Sequence, residues 1–205
     1  MKNKTGLLPA NGHRIQGRSS EEFLDTVEIL DELNLKGNEN FMDVGCGDGH
    51  VAIKALDYLS EGNVYALDIY EPSVEDMEEF KKENNVDNLF PIQSNVSEKI
   101  DLDDDTLDVA LMVNVFHGFT ASRTTDEAIS ELKRVIKPEG GRIAIMDYKK
   151  QDVKHGPPYA IRSTPDELRR EFIKHGLVMT HLNEEIGEKI PERMSYYFIV
   201  FEYKN

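Results

Sequence analysis

The amino-acid sequence predicts an α/β fold in which helices cover both faces of a mainly parallel sheet. Short apolar runs alternate along the chain with segments of helical periodicity, and this alternation is typical of parallel strands joined by helices. One of the apolar runs stops in three closely spaced glycines. The length of 205 residues fits one such domain and leaves little room for a second core.

The first part of the chain predicts a helix, a strand and a second helix. Ser19 and Glu22 have the spacing of a capping box, which places the start of the first helix near Ser19. The apolar face of that helix is formed by Phe23, Val27, Leu30 and Leu33. An apolar run from Phe41 predicts the first strand, and the glycines that end it lead into a helix. The apolar face of this second helix is formed by Ile53, Leu56 and Leu59.

The alternation continues through the middle of the chain. Residues 64–67 predict the next strand, and Pro72 opens a helix shortly after it. That helix carries the apolar residues Val74, Met77 and Phe80. A later helix, which Pro138 stops, leads into a strand at residues 142–147. Its apolar face is formed by Ile129, Leu132, Val135 and Ile136.

The C-terminal part predicts one more helix and two strands. Thr164, Pro165 and Glu167 form a second capping-box pattern with proline at the first helical position, and Gly176 ends the helix. The buried face of this helix is formed by Leu168, Phe172 and Ile173. Strand-like runs follow at residues 177–182 and 196–203. The polar stretch 183–195 between them is predicted to be a hairpin connection, so that the last strand inserts antiparallel.

The glycine-rich segment is the clearest functional signal. The strand from Phe41 ends in Gly45, Gly47 and Gly49, and glycine lets the backbone approach a ligand closely because it has no Cβ. Asp68 closes the next apolar run. At the carboxyl end of a neighbouring strand, its carboxylate would accept hydrogen bonds from both ribose hydroxyls. The sequence therefore predicts a nucleoside-binding crevice.

The spacing and the local charge narrow the ligand class. The glycines follow the pattern Gly-x-Gly-x-Gly rather than the Gly-x-Gly-x-x-Gly of dinucleotide sites. Asp43 and Asp48 place two carboxylates around the turn. A pyrophosphate favours a turn without local anions, whereas this field suits a ligand that carries a sulfonium and an ammonium group.

With its context, the segment from Phe41 to His50 resembles motif I of the class I S-adenosylmethionine (SAM) dependent methyltransferases. The resemblance extends from about Ser19 to the C-terminus. It includes the third strand at residues 91–96, the fourth strand and its following loop at 108–117, and the helix and turn at 132–141. It implies a doubly wound, mainly parallel seven-stranded sheet with helices on both faces and a C-terminal antiparallel strand. It also implies SAM as cofactor and S-adenosylhomocysteine (SAH) as product.

Residue by residue, the resemblance assigns a cofactor site. Asp68 matches the residue that binds the ribose, and Asn95 stands where the family has an aspartate that receives the adenine amino group. The amide oxygen of asparagine also accepts a hydrogen bond from an amine. Glu139 departs from the family pattern, in which glycine is common. The predicted cofactor-binding residues are Asp43, Gly45, Cys46, Gly47, Gly49, Asp68, Ile69, Asn95, Val96 and Asn114.

The acceptor side is predicted from the ends of the fourth and fifth strands. His117 lies just beyond the fourth strand, and we predict it as a general base because a histidine side chain titrates near neutrality. A packing or capping histidine is the alternative. The predicted substrate pocket comprises His13, Phe116, Asp147, Tyr148 and Tyr159. We predict residues 1–18 to be a flexible segment or a lid, and residues 19–205 to form the SAM-binding domain.

Composition limits the partners. The net charge of −15 arises from 39 acidic and 24 basic residues and would repel nucleic acid and anionic membranes.

The single cysteine predicts no intramolecular disulfide and, with no signal-peptide pattern or membrane span, a cytoplasmic location. In the tight turn, Cys46 is interpreted as a small side chain rather than a nucleophile. The histidine and cysteine spacing predicts no metal site, and we expect a monomer or homodimer.

These observations lead to one main hypothesis and two alternatives. We predict an enzyme that moves a methyl group from SAM to a small-molecule acceptor. The first alternative is a sensor or partner subunit that binds SAM or SAH without transfer. The second is an NAD-dependent oxidoreductase, which the glycine spacing and the paired aspartates disfavour.

Overall fold

The central sheet of the computed structural model has seven strands, and the structure describes residues 19–22, 24–152, 156–190 and 193–204. In chain order, β1 to β7 span Asn40–Val44, Asn63–Asp68, Leu89–Gln93, Val109–Val113, Arg142–Tyr148, Leu177–Ile190 and Arg193–Tyr203. Their order across the sheet is β3-β2-β1-β4-β5-β7-β6. The first five strands pair in parallel, and β7 is antiparallel to both β5 and β6. The predicted sheet with its reversed C-terminal strand is confirmed.

Within the described residues, six α-helices cover the sheet, three on each face. In chain order, α1 to α6 span Thr26–Asp31, His50–Ala55, Glu71–Asn84, Phe116–Ser122, Thr125–Val135 and Pro165–Lys174. Side chains of α1, α2 and α3 join one buried apolar cluster, and those of α4, α5 and α6 join the other. Along β5, Ala144 and Met146 face the first cluster, whereas Ile143 and Ile145 face the second. Because both faces are covered, the central strands are continuous apolar runs in the sequence.

The first helix begins later than the sequence predicted. Asp25 is its N-cap, and its carboxylate accepts hydrogen bonds from the backbone N–H groups of Val27 and Glu28. The predicted capping box of Ser19 and Glu22 is therefore wrong, because the chain is not yet helical at Ser19. Leu30 and Leu33 are buried as predicted, but Val27 is 42% exposed. Phe23 lies outside the described residues.

The last two strands are longer than predicted. The polar stretch 183–195, predicted as a connection, belongs largely to β6 and β7. β6 is an edge strand with register shifts after Met179, Asn183 and Ile186, and an edge strand exposes polar side chains without losing its pairing. Ile186 is nevertheless fully buried. The polar composition of this stretch therefore does not show the strand pattern in the sequence, and the strand is recognised only from its pairing with β7.

The start of α6 follows the sequence closely. The Thr164 hydroxyl accepts a hydrogen bond from the Glu167 backbone N–H at 3.2 Å, and the Glu167 carboxylate accepts one from the Thr164 N–H at 2.8 Å. The predicted capping box is confirmed. Leu168 and Phe172 are fully buried, but Ile173 is 47% exposed. The apolar face of α6 is narrower than predicted because Ile173 lies about 100° around the helix from Phe172.

Thr164→Ala tests this capping box. We expect the variant to lose about 1 kcal/mol of unfolding free energy, since two backbone groups of α6 lose their reciprocal partners. Thermal denaturation should show a midpoint lower by about 2–4 °C for a chain of this size. Thr180→Ala removes an exposed hydroxyl that bonds Glu202 and serves as the matched control. Equal midpoints for the two variants would contradict the importance of the cap.

In the part of the chain that the structure describes, no helix combines the length and apolarity needed to cross a bilayer.

The sheet edge that matters for the site is the one at which β1, β2 and β4 end. α2, α3 and α4 begin beside this edge.

Candidate functional site

The strand order places a crevice at the carboxyl end of the sheet. From β1 the chain proceeds to β2 and β3 on one side, and β4 and β5 lie on the other side of β1. The order reverses between β1 and β4, and ligands of open α/β sheets bind outside the carboxyl ends of the strands at such a point. The glycine turn follows β1, Asp68 ends β2, and Asn114 follows β4.

The three glycines of the turn have different roles. All have positive φ: 75° at Gly45, 57° at Gly47 and 79° at Gly49. A Cβ on Gly45 would lie 2.5 Å from the Val115 side chain, and one on Gly49 would lie 2.2 Å from the Met77 sulfur. A Cβ on Gly47 would meet nothing within 4 Å. Two glycines are therefore needed for packing, and the third leaves the backbone open on one side.

Asp68 is locked to the glycine turn. Its Oδ2 accepts a hydrogen bond from the Gly47 N–H at 2.9 Å, and its Oδ1 accepts one from the Tyr70 N–H at 2.8 Å. The Gly45 and Cys46 N–H groups both donate to the Leu67 carbonyl oxygen. Each carboxylate oxygen has a second lone pair, so the fixed carboxylate retains capacity for two ligand hydroxyls. Ile69, predicted to contact the cofactor, lies half-buried next to it.

Asp43 lies beneath the turn. It is 2% exposed, and its Oδ2 accepts a hydrogen bond from the Ala52 N–H at 3.1 Å. The side chain therefore caps the first turn of α2, whose own N-cap is Gly49. Burial raises the pKa of Asp43 to about 7, the Ala52 N–H opposes this rise, and the carboxylate of Asp68 adds to it. The negative field predicted for the turn consequently depends on pH.

Asp48 and Cys46 complete the turn. Burial raises the pKa of Asp48, but hydrogen bonds from Ser19 and His50 outweigh it and hold this pKa below its usual value. The Asp48 carboxylate lies 2.9 Å from Nδ1 of His50. Cys46 is 4% exposed, and burial raises the pKa of its thiol. The thiol therefore stays protonated, which agrees with its interpretation as a small side chain rather than a nucleophile.

Asn95 follows β3 in a turn that engages its side chain. Its Oδ1 accepts hydrogen bonds from the Ser97 N–H at 3.1 Å and the Ser97 hydroxyl at 2.7 Å. Its Nδ2 donates to Glu98. Val96 is 5% exposed and packs in the core. Contact between the Asn95 oxygen and an adenine amino group stays a prediction, and it requires this oxygen to exchange a partner.

His117 and Asp147 form a buried pair. The sequence suggested a loop after β4, but His117 lies in the first turn of α4. Its Nδ1 is 3.0 Å from both carboxylate oxygens of Asp147, and its backbone N–H donates to Oδ2 at 3.0 Å. His117 is 9% exposed and Asp147 is 3% exposed. Because Nδ1 donates to the carboxylate, the neutral imidazole carries its lone pair on Nε2.

The family of the chain follows from a comparison of its sequence. A family model described as "Methyltransferase domain" matches residues 35–193, more than half of the chain. The chain belongs to this methyltransferase family. The matched residues contain the glycine turn, Asp68 and the His117–Asp147 pair.

Solved structures and a curated relative that are similar to this chain are also described as methyltransferases. The methyltransferase is 28% identical to a SAM dependent methyltransferase from Aquifex aeolicus, with a TM-score of 0.75 and coverage of 91% of this chain and 93% of that one. A SAM-dependent methyltransferase from Methanosarcina mazei is 15% identical, with a TM-score of 0.67 and coverage of 85% and 96%, and shows the fold. The probable methyltransferase ltbC of Aspergillus luteorubrus is 27% identical over 119 residues, which are 55% of this chain and 41% of the relative. The chain thus matches under half the length of that relative. The predicted resemblance to class I SAM-dependent methyltransferases is confirmed.

The remaining predicted pocket residues differ in position. Phe116 is 2% exposed and packs against Phe172 in the core. Tyr148, 6% exposed, stacks on Tyr196 with ring centroids 4.2 Å apart. Tyr159 is 57% exposed in a short 3₁₀ turn. His13 and the rest of the predicted lid lie outside the described residues.

Sequence reasoning missed three features of the methyltransferase site. It named His117 and Asp147 separately and did not pair them. It did not single out Tyr196 or Arg162, which is 4% exposed and lies over the Tyr148 ring at 5.3 Å. The pairing of β4 with β5, implied by the family fold, could have predicted the first contact. For Tyr196 and Arg162 the sequence contains no local signal, since both lie in segments without a motif.

Proposed function

We propose that this methyltransferase moves a methyl group from SAM to a small-molecule acceptor. The observation that carries the proposal is the Asp68 carboxylate, which hydrogen bonds fix to Gly47 at the point where the strand order reverses. A carboxylate held against a glycine turn is suited to the two hydroxyls of a ribose. The 28% identical SAM dependent methyltransferase from Aquifex aeolicus supports the choice of nucleoside.

The residues of the crevice fit this cofactor. Asp68 would bind the ribose, and the open side of Gly47 allows close approach of the ligand, because a side chain there would fill that space. Asp48 supplies negative charge beside the turn, and Asp43 adds to it as the pH rises above 7; this charge favours the cationic methionine end. When bound, SAM supplies a methyl group already activated by its sulfonium. The chain itself then has to orient the acceptor and exclude water.

The acceptor is proposed to be small. An open cleft of about 450 Å³ lies next to Phe116, between α4, α5 and α6, and Lys150, Arg162 and Glu167 are among the residues that line it. This volume is within the range of small-molecule pockets. The net charge of −15 disfavours nucleic acid as the acceptor. A cytoplasmic location and a monomeric or homodimeric state remain predictions from the sequence.

His117 is proposed as the base for an acceptor that arrives protonated. Asp147 accepts a hydrogen bond from the Nδ1–H group and holds the ring, so Nε2 is the atom that removes the acceptor proton. The negative charge of Asp147 also stabilises the imidazolium that this step produces. The pair lies at the carboxyl ends of β4 and β5, at the same sheet edge as the glycine turn.

Calorimetric titration with SAM, SAH and NAD tests the cofactor. We expect micromolar binding of SAM and SAH and no binding of NAD. Asp68→Ala should weaken SAM binding by about tenfold or more, because hydrogen bonds to a charged group contribute roughly 1.5–3 kcal/mol each. Asp57→Ala removes a surface carboxylate that pairs with Lys54 and should bind SAM like the parent protein.

Further outcomes separate the alternatives. Asp68→Asn keeps one acceptor oxygen, so it preserves one of the two hydrogen bonds from the Gly47 and Tyr70 N–H groups and should weaken SAM binding less than Asp68→Ala. Unchanged SAM affinity in a folded Asp68→Ala protein would show that the ribose binds elsewhere. Binding of SAM without transfer to any metabolite fraction would favour the sensor, and binding of NAD alone would favour the oxidoreductase.

A further inference from the structure

Two serines that precede α1 reach the glycine turn. The Ser20 hydroxyl lies 3.1 Å from Nε2 of His50, and the Ser19 hydroxyl bonds the carboxylate of Asp48. Ser20 is 7% exposed, and its carbonyl oxygen accepts a hydrogen bond from the Leu24 N–H at 2.9 Å. The segment before α1 is therefore fixed to the turn through His50 and Asp48.

His50 uses both nitrogens of its ring. Nδ1 is 2.9 Å from Oδ1 of Asp48, and the His50 backbone N–H donates to the same oxygen at 3.4 Å. A carboxylate only accepts hydrogen bonds, so Nδ1 donates, and in the neutral ring Nε2 accepts the hydrogen of the Ser20 hydroxyl. The His50 side chain is 11% exposed. The ring thus bridges Asp48 and Ser20 and has little freedom to turn.

The Asp48 carboxylate is held in place and is still accessible. Asp48 directly follows Gly47, where a Cβ would meet nothing within 4 Å. Burial alone would raise the pKa of Asp48, but the hydrogen bonds from Ser19 and His50 lower it, so the group is ionised at neutral pH. The Asp48 side chain is 44% exposed, so a ligand group can reach it. The turn therefore carries a fixed negative charge next to its open position.

We propose that His50 is a positioning residue of the cofactor site, and that it holds the Asp48 carboxylate where this group receives the ammonium group of SAM or SAH. The proposal rests on the proposed function. It follows from the two hydrogen bonds of the His50 ring, which join Asp48 to the buried Ser20. Hydrogen bonds between an ammonium and a carboxylate are stronger than those between neutral groups. An ammonium only donates, so the lone pairs that remain free on the carboxylate are its partners.

A carboxylate that is fixed before the ligand arrives binds it more tightly. Ordering a side chain during binding reduces the affinity, and preorganisation removes this cost. Of the described partners of Asp48, only the Ser19 hydroxyl and the long contact with the residue 50 N–H would remain without the imidazole ring. The carboxylate could then rotate into water, where its attraction for an ammonium is screened. Since Asp68 is proposed to bind the ribose, loss of the ring should affect the ammonium end selectively.

Calorimetric titration with SAH and with 5′-methylthioadenosine tests the proposal. Methylthioadenosine contains the nucleoside and the sulfur of SAH but has no amino-acid end. His50→Ala should bind SAH about three- to tenfold more weakly than the parent protein, the usual effect of ordering one side chain on binding. It should bind methylthioadenosine within about twofold. Equal loss of affinity for both ligands would show that His50 only supports the fold of the turn, and unchanged SAH affinity would show that Asp48 needs no support. Either result would overturn the proposal.

Two amide variants separate the two hydrogen bonds of the ring. His50→Asn places an amide N–H close to the position of Nδ1, so it keeps a donor for Asp48 and should bind SAH within about twofold of the parent protein. His50→Gln places its amide close to the position of Nε2, so it keeps a partner for Ser20 and should lose SAH affinity as His50→Ala does. The reverse order of affinities would show that the contact with Ser20 matters rather than the one with Asp48, and would overturn the proposal.

His175→Ala is the matched control. Nε2 of His175 is 3.2 Å from Asp126, and the His175 side chain is 16% exposed. This histidine directly follows α6, and Asp126 lies in α5, so the pair resembles that of His50 and Asp48 but belongs to other elements of the fold. The variant should bind SAH and methylthioadenosine like the parent protein.

A double variant tests whether His50 acts through Asp48. Asp48→Asn removes the charge that His50 holds, so adding His50→Ala to it should weaken SAH binding no further. Additive losses would show that the two residues act independently and would overturn the proposal.

The proposed function is tested separately by the parent protein. Its failure to bind SAM and SAH would contradict the cofactor assignment and, with it, the role of His50. Normal binding of SAH by both the parent protein and His50→Ala would contradict only the role of His50.

Discussion

Replacing His117 by alanine is expected to reduce methyl transfer by about 10²–10⁴-fold, the usual contribution of a positioned general base. The ring is held by Asp147 with Nδ1 as donor, so the variant loses the atom that takes the acceptor proton. SAM affinity should remain within twofold, because His117 follows β4 and pairs with Asp147 of β5, whereas the glycine turn follows β1. Transfer is measured with [methyl-³H]SAM and a deproteinised metabolite fraction, and affinity by calorimetry.

Three further variants make the His117 result specific. Asp147→Asn should also slow transfer without changing SAM affinity, since an amide no longer fixes the imidazole tautomer. His117→Gln preserves a polar side chain and controls for loss of packing in this buried position. His181→Ala removes a more exposed histidine, 2.6 Å from Glu32, and should transfer normally. Full activity in His117→Ala would exclude this residue from the mechanism and leave it a packing residue.

The largest expected effect on stability comes from Asp43. Its pKa is about 7 in the folded protein against an ordinary value of 3.8, because the carboxyl group is buried. Between these values the folded state binds more protons than the unfolded state, so the unfolding free energy falls as the pH rises and is lowest above pH 7. Asp43→Asn keeps an acceptor for the Ala52 N–H but cannot ionise. Relative to the parent protein, it should gain about 3 kcal/mol between pH 5 and pH 8, at 1.36 kcal/mol per pKa unit.

Urea denaturation of both proteins from pH 5 to pH 8 measures this difference. Asp48→Asn is the matched control on the same turn. The pKa of Asp48 is lowered, so its ionised form is favoured in the folded state, and the amide should reduce stability at pH 8. Parallel stability curves for Asp43→Asn and the parent protein would show that Asp43 ionises normally in the fold.

Local patterns in the sequence predicted much of the architecture. The glycine turn lies after β1, Asp68 ends β2 and the Thr164 capping box forms, all at the predicted positions. Each of these features is specified by residues within a few positions of one another. The strands with two covered faces were recognisable as continuous apolar runs. The edge strand β6 was underestimated, because its solvent-exposed side and its shifts in register obscure the alternation that marks a strand.

The candidate site could be predicted only in part. The predicted cofactor site is built from one strand, one turn and the end of the next strand, which local sequence patterns indicate. The resemblance to known methyltransferases supplied the other predicted cofactor-binding residues. The proposed acceptor side brings together His117 of α4 and Asp147 of β5. The two residues are 30 positions apart in the chain. No local rule predicts that their side chains become partners.

By itself, the sequence determined the alternation of strands and helices, the glycine turn after β1 and the acidic residue that ends β2. Only the tertiary structure decided that Asp147 holds His117 and that Asp43 is buried beneath the turn. The physical reason is the range of the interactions. Turns and caps are set by neighbouring backbone groups, whereas burial and the pairing of distant side chains arise only when the sheet has assembled.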